Sequence, residues 1–205
     1  MSKKIHSPDS NYKLYTLFPV PVHVIDVGNF DSIRNKLIQH VYDERKRDPK
    51  GVVISNRGGW QSPSFDINNP DILLHSTIAK GVSRIPYFKE GTTSKIHGWM
   101  NVNGLGDYNR SHNHPNSHMS GILYLKSSEK SGDVVFDSPY TFSSWNELSS
   151  YTKEFVERTN CHNSFRFYPI EGRMIVFPSH FKHFVEENKS DEDRISIAFN
   201  IKLNE

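Results

Sequence analysis

The stretch YNRSHNHPNSHMSGILYL, residues 108–125, decides how this chain is to be read. It sets His112, His114 and His118 two and four residues apart, breaks them with Pro115, and runs on into the apolar residues 122–125. In an extended strand, residues i and i+2 point to the same face. A strand here would therefore present His112 and His114 together, with Asn113 opposite. Two imidazoles on one face can hold a metal ion. Pro115 has no amide donor and ends the strand pairing, so His118 is expected outside the metal shell. A histidine-rich surface loop would show the same local pattern, so the pair needs support from elsewhere in the chain.

That support comes from residues 175–200, IVFPSHFKHFVEENKSDEDRISIAFN. The apolar strand RMIVFP, Arg173–Pro178, follows the turn signal Glu171-Gly172, and His183 opens the segment HFVEE. Eleven positions later Arg194 heads RISIAFN. There Ile195, Ile197, Phe199 and Ile201 share one parity, and Arg194, Ser196, Ala198 and Asn200 the other. One face is core; the opposite face is small and polar. Ordinary amphipathic alternation with a solvent-facing arginine fits that pattern. So does a barrel whose outer face packs on helices and whose inner face lines a polar cavity.

The rest of the chain sets the frame. Its 205 residues are enough for one domain with a real core, and 13 Phe and 9 Tyr offset a hydrophobic content of 35%. A net charge of +2 announces neither nucleic acid nor a membrane surface. Cys161 is the sole cysteine, so no internal disulfide can form, and a reducing, cytoplasmic setting is expected. The start, MSKKIHSPDS, has lysines but no apolar stretch, so no signal peptide is expected. No run approaches the roughly 18 apolar residues of a membrane span.

Residues 14–26 suggest two short strands broken at Pro19 and Pro21. Residues 31–47 place Ile33, Leu37, Ile38 and Val41 on one helical stripe, with Asp31 or Ser32 as N-cap, and the basic run 44–50 as its solvated end. Residues 70–87 form a second helical pattern, with Pro70 in its first turn. Short strands are expected at 95–102, 119–126, 133–136, 164–168, 173–178, 183–187 and 194–202, with a helix at 144–158 between them. GGWQSP, residues 58–63, is loop-like; Trp60 is either a substrate-facing lid or a plug between a helix and the barrel. Trp99, Asn101 and Asn103 alternate on the strand that leads into the histidines, where the two amides face a ligand or brace neighbouring strands. The expected architecture is mainly β with supporting helices (α+β). We expect one domain over residues 1–205, with N-terminal strands and helices to residue 93 and a β core over 94–203.

The order His-x-His, a distant His, then Arg-x-Ser about ten residues on resembles the Fe(II)/2-oxoglutarate-dependent oxygenases, in particular their prolyl-hydroxylase-like branch and the small bacterial and phage family of 2OG-Fe(II) oxygenases. The matching motifs are LFPVPVHVID, GGWQSP, WMNVNGLGDYNRSHNHPNSHMSGILYL, EGRMIVFPSHFKHFVEEN and RISIAFN, which span residues 17–200. The resemblance implies a double-stranded β-helix (jelly-roll) core with N-terminal helices on one face. It implies Fe(II), 2-oxoglutarate and O2 as cofactor and cosubstrates. It also implies hydroxylation of a substrate C–H bond with release of succinate and CO2. By kinship the substrate is a peptide or protein, for example a peptidyl proline.

Carried over by position, His112 and His183 match metal ligands. Arg194 matches the residue that binds the far carboxylate of 2-oxoglutarate, with Ser196 assisting and Tyr124 near the same carboxylate; Asn103 is a cosubstrate candidate only through its place on the strand. A planar guanidinium suits a carboxylate because it offers paired donors. Trp60, Trp99 and Asn101 are candidates for the substrate pocket. The chain departs from the usual His-x-Asp/Glu…His triad at His114, which stands in the carboxylate position. Three alternatives follow: a three-histidine site of His112, His114 and His183; an oxygen ligand from Asp107 or Asp137; or two histidines with room for a halide. Two competing functions also fit a jelly roll: a cupin-type metal enzyme without 2-oxoglutarate, and a non-catalytic binding protein. No membrane or nucleic-acid partner is expected, and the sequence leaves an oligomer open.

Overall fold

The computed structural model describes residues 19–139 and 151–204. Two antiparallel sheets form the body of the protein, and two helices cover one of them. The first helix, α1 (Phe30–Arg47), follows the predicted stripe, with Leu37 and Val41 fully buried. It starts one residue early. Asn29 occupies the N-cap in a left-handed conformation (φ 53°), and the Ser32 hydroxyl donates back to its carbonyl at 2.7 Å. Neither Asp31 nor Ser32 is the cap. The second, α2 (Leu73–Val82), is shorter than its apolar pattern. Asn69 gathers the amides of Asp71 and Ile72 in a turn ahead of it. At its other end, Pro86 disfavours helical geometry at Ile85.

The larger sheet is built from β1 (His23–Asp26), β3 (Trp60–Gln61), β4 (Phe65–Asp66), β5 (Thr93–Asn103), β7 (Met119–Lys126), β10 (Arg173–Pro178) and β12 (Arg194–Asn204). Its order is β1–β10–β7–β12–β5–β3, with β4 also on β5. The smaller sheet, β2–β6–β11–β8–β9, comprises β2 (Asn56–Arg57), β6 (Tyr108–His112), β8 (Val134–Asp137), β9 (Ser164–Phe167) and β11 (His183–Val185). This is the expected mainly-β jelly roll with helices on one face. The strand predicted to 187 stops at Val185, and the loop expected at 58–63 contains β3, which pairs Trp60 with Val102 and Gln61 with Asn101. A third helix, α3 (Lys153–Thr159), begins at Thr152, whose hydroxyl caps the Phe155 amide. The predicted segments 144–150 and 14–18 lie outside the described residues.

The alternation in β12 separates the two faces of the larger sheet. Ile195, Ile197, Phe199 and Ile201 are fully buried against α1, α2 and their neighbours Met100, Val102 and Leu123. Burying an apolar side chain of this kind contributes about 1.5–3 kcal/mol. Phe199 fits because its cross-strand partner is Gly121; a β-carbon there would lie 2.3 Å from the ring. A two-pronged ion pair, Arg34 to Glu171 at 2.6 and 2.8 Å, fastens α1 to the turn before β10, and the Ser127 amide also donates to Glu171. No helix among the described residues is long and apolar enough to cross a membrane.

Candidate metal centre

The three histidines arrive from three backbone contexts. His112 ends β6, and His183 opens β11 directly opposite it in register. His114 is not on the strand as expected. Pro115 has ended the pairing, and the His114 amide donates instead to the Ser179 carbonyl at 2.9 Å. The turn swings its ring over the other two. The result is a group of three ring nitrogens, one from each histidine, all within 4.8 Å of one another. His114 Nε2 and His183 Nε2 are 3.4 Å apart.

Their tautomers follow from their hydrogen bonds. His112 Nδ1 faces the Arg110 carbonyl at 2.7 Å, and His183 Nδ1 faces the Phe181 carbonyl at 2.9 Å. A carbonyl only accepts, so each Nδ1 carries the proton and each Nε2 is left as a bare lone pair, the form that binds metal. Burial disfavours the imidazolium. Together with the neighbouring imidazoles it pushes His114 down to about 3 and His183 to about 4, and burial lowers His112 as well. All three are neutral donors at neutral pH. Neither Asp107 nor Asp137 joins them: Asp107 accepts from the Gly104 amide, and Asp137 from Ser111. His118, His97 and His180 stand apart too. His118 accepts from the Leu203 amide, His97 pairs with Asp66, and all three are exposed.

A narrow inner cavity of about 40 Å3 runs from these rings between the sheets to Arg194. Trp99, Asn101, Tyr124, Ser196 and Arg194 line it from the side of the larger sheet. Arg194 is almost wholly buried at the start of β12. Its Nη1 donates to the carbonyls of Ser131 (2.6 Å), Gly132 (3.3 Å) and Glu186 (3.3 Å), and no described carboxylate forms an ion pair with it. Burial works against its charge, but a guanidinium stays protonated. The Tyr124 hydroxyl is fully buried with no hydrogen-bond partner, and burial pushes its pKa up, so it remains a donor. An unsatisfied buried hydroxyl beside a guanidinium that lacks an ion-pair partner is costly, and an anionic ligand oxygen would satisfy both.

Two predicted residues lie elsewhere. Trp60 is buried in the core under α1 with its indole nitrogen donating to the Asp48 carbonyl at 2.7 Å, the plug position and not the lid. Asn103 is cross-strand from Arg194, buried beside Gly59 and outside the cavity lining, although its Oδ1 also lacks a partner. The cavity also uses Ser55, Asn109, Phe177 and Val185, none of which sequence reasoning singled out. Asn109 lies three residues before His112, where a bulge in the β6–β11 pairing turns it inward.

Residues 97–200, half of the chain, match the protein family described as "Putative 2OG-Fe(II) oxygenase". The chain belongs to that family. Its members use Fe(II), 2-oxoglutarate and O2, and the donor set here fits them: neutral imidazole lone pairs for iron, and a guanidinium with an orphaned hydroxyl for a carboxylate. No curated protein matches the oxygenase in sequence. Solved structures share its fold. A Pseudomonas putida prolyl-4-hydroxylase is 13% identical with a TM-score of 0.56, covering 89% of this chain and 92% of its own. A prolyl hydroxylase from Trichoplax adhaerens, in complex with a hypoxia inducible factor peptide fragment, is 16% identical with a TM-score of 0.54, covering 88% and 83%. HygX from Streptomyces hygroscopicus, with nickel, 2-oxoglutarate and hygromycin B bound, is 11% identical with a TM-score of 0.53, covering 89% and 83%.

Proposed function

We propose that the oxygenase is a 2-oxoglutarate-dependent hydroxylase working from a three-histidine iron site as a single domain. The observation that carries this is the pairing of two sites in one cavity: three clustered imidazole nitrogens at one end, and a buried guanidinium with no ion-paired carboxylate at the other. His112, His114 and His183 would hold Fe(II). Arg194 and the Tyr124 hydroxyl would receive the far carboxylate of 2-oxoglutarate, with Ser196 beside them. The three ligands bring no negative charge, so the ion keeps its full attraction for a dianionic cosubstrate. Trp99 packs on His114 with ring centroids 5.6 Å apart and lines, with His112 and His114, the groove outside. When bound, iron with 2-oxoglutarate and O2 supplies the oxidising chemistry: 2-oxoglutarate goes to succinate and CO2 as a substrate C–H becomes C–OH. The chain's own part is to hold, orient and exclude water.

Fold kinship offers two kinds of substrate. The Trichoplax adhaerens structure contains a peptide and the Streptomyces hygroscopicus structure hygromycin B, so a peptidyl proline is one substrate class and a small molecule another. An anaerobic titration tests the reaction itself. Fe(II) and 2-oxoglutarate added to the apo-protein are expected to give a weak visible charge-transfer band, and admission of air to give succinate. Absence of both would favour a cupin-type enzyme or a non-catalytic jelly roll.

A further inference from the structure

Outside the metal centre lies a half-open groove of about 730 Å3, which shares Ser55, Trp99, His112 and His114 with the inner cavity. Apart from those two histidines, the ionisable groups among its described lining residues are Arg57 and Arg110. No Asp, Glu or Lys among the described residues lines it. Asp137, which accepts from the wall residue Ser111 at 3.3 Å, is not itself part of the lining.

The two arginines sit on adjacent strands of the smaller sheet. Arg57 ends β2 opposite Tyr108 on β6, and the Arg110 amide donates to the Ser55 carbonyl at 3.0 Å. They are diagonal neighbours, roughly 7–8 Å apart at the backbone by sheet geometry. Arg57 Nη1 is tethered to the Asn56 and Ile54 carbonyls at 2.6 and 3.4 Å, which steadies that guanidinium and leaves its other nitrogens free. Neither arginine forms an ion pair with a described carboxylate. Two like charges on neighbouring strands disfavour each other, and an oxyanion between them reverses the sign of that interaction. Val52, Ile54, Pro63, Pro115 and Trp99 supply an apolar wall beside this cationic patch. The volume falls in the range of small-molecule pockets, and the charge is one compact patch rather than a track along an extended surface.

We propose that the groove receives a small-molecule substrate bearing a carboxylate or phosphate, which Arg57 and Arg110 hold while its carbon skeleton lies against Trp99 next to the three histidines. This specificity rests on the metal centre being the site of hydroxylation.

The test uses the full chain loaded with Zn(II) and saturated with 2-oxoglutarate, so that Arg194 is occupied. Phenyl phosphate, benzoate and neutral benzamide are titrated in turn and followed by ligand-observed NMR. At least one charged probe is expected to bind about tenfold or more tightly than benzamide, as for charge-assisted hydrogen bonds. R57Q and R110Q are each expected to cut that preference several-fold, and R57Q/R110Q to abolish it. Thermal melting and 2-oxoglutarate titration of each variant report folding. Preference for phenyl phosphate marks phosphate esters as the substrate class; preference for benzoate marks carboxylic acids. Equal binding of charged and neutral probes overturns the proposal, as does a preference that survives R57Q/R110Q or disappears with R194Q instead. A penta-glutamate peptide that binds far more tightly than either small anion overturns the small-molecule class. Failure of the wild type to bind 2-oxoglutarate defeats the underlying hydroxylase reading instead. The probe comparison, repeated without metal or 2-oxoglutarate, still reports on the arginines in that case.

Discussion

The two ends of the inner cavity solve opposite electrostatic problems. At the metal end, three imidazoles are buried in their neutral form, with two Nδ1 protons already placed on backbone carbonyls. Burying neutral, hydrogen-bonded rings costs little. At the acid end, a permanently charged guanidinium and an unpartnered phenol are enclosed with no described carboxylate in direct ion-pair contact, Asp107 and Asp133 acting on the guanidinium only from a distance. Burying those is costly until an anion arrives. The metal end is thus complete before its ligand binds, and the acid end is complete only afterwards. A site arranged this way ties the chain's stability to 2-oxoglutarate more closely than an exposed site would.

Substitutions at each end should separate the two roles. His183→Ala is expected to remove measurable Fe(II) binding, read by metal titration, and to carry cosubstrate affinity down with it. Arg194→Ala should leave metal binding in place and weaken 2-oxoglutarate by about 2–4 kcal/mol, the loss of a buried charge partner. Calorimetry of the loaded protein measures it, and unchanged affinity would mean that the acid end is elsewhere. His114→Asp tests whether the metal end depends on being uncharged. Iron should be retained while 2-oxoglutarate weakens by about 1–2 kcal/mol, because the new carboxylate opposes the dianion. If position 114 is outside the metal shell, neither affinity will respond. Tyr124→Phe removes an orphaned donor, so apo-protein stability should hold or rise slightly while cosubstrate affinity falls by about 1 kcal/mol.

A pair outside the cavity lining gives the baseline. Burial raises the Glu171 pKa, but the Arg34 and Ser127 hydrogen bonds outweigh it and the net shift is downward. Its stabilisation is therefore full above the ordinary carboxylate pKa of about 4.3. It is lost as pH falls through the lowered value in the folded state. Glu171→Gln should cost about 1 kcal/mol at pH 7, and the difference between wild type and variant should vanish in acid. Thermal melts across pH 3–7 check this without touching either ligand.

What could be read from the sequence follows from how much signal each element carries. The eleven residues of β12 alternate without a break, so both the buried stripe and the polar face with Arg194 and Ser196 were visible in advance. The triad of His112, His114 and His183 was visible as spacing, but its geometry was not. His114 reaches the site through a turn held by Ser179, 65 residues away in sequence (179 − 114). The strands β2, β3 and β4 are two residues each and have no periodicity to detect; long strands already in place define them. Trp60 is a plug because β3 docks on β5, a tertiary fact. Arg57 and Arg110 look like ordinary surface arginines until β2 and β6 bring them to one groove. The N-terminus of α1 lies one residue ahead of the cap signals at Asp31 and Ser32 because the left-handed Asn29 holds the N-cap.

Arg194 has one more consequence. A single nitrogen of its fork rivets the start of β12 to the turn before β8 and to the chain leaving β11. The two sheets are thereby latched together at the far wall of the cavity. An arginine's rotational freedom, about 2 kcal/mol, is surrendered as the chain folds rather than when a guest arrives. The incoming diacid meets a guanidinium whose anchoring nitrogen is already fixed to the wall.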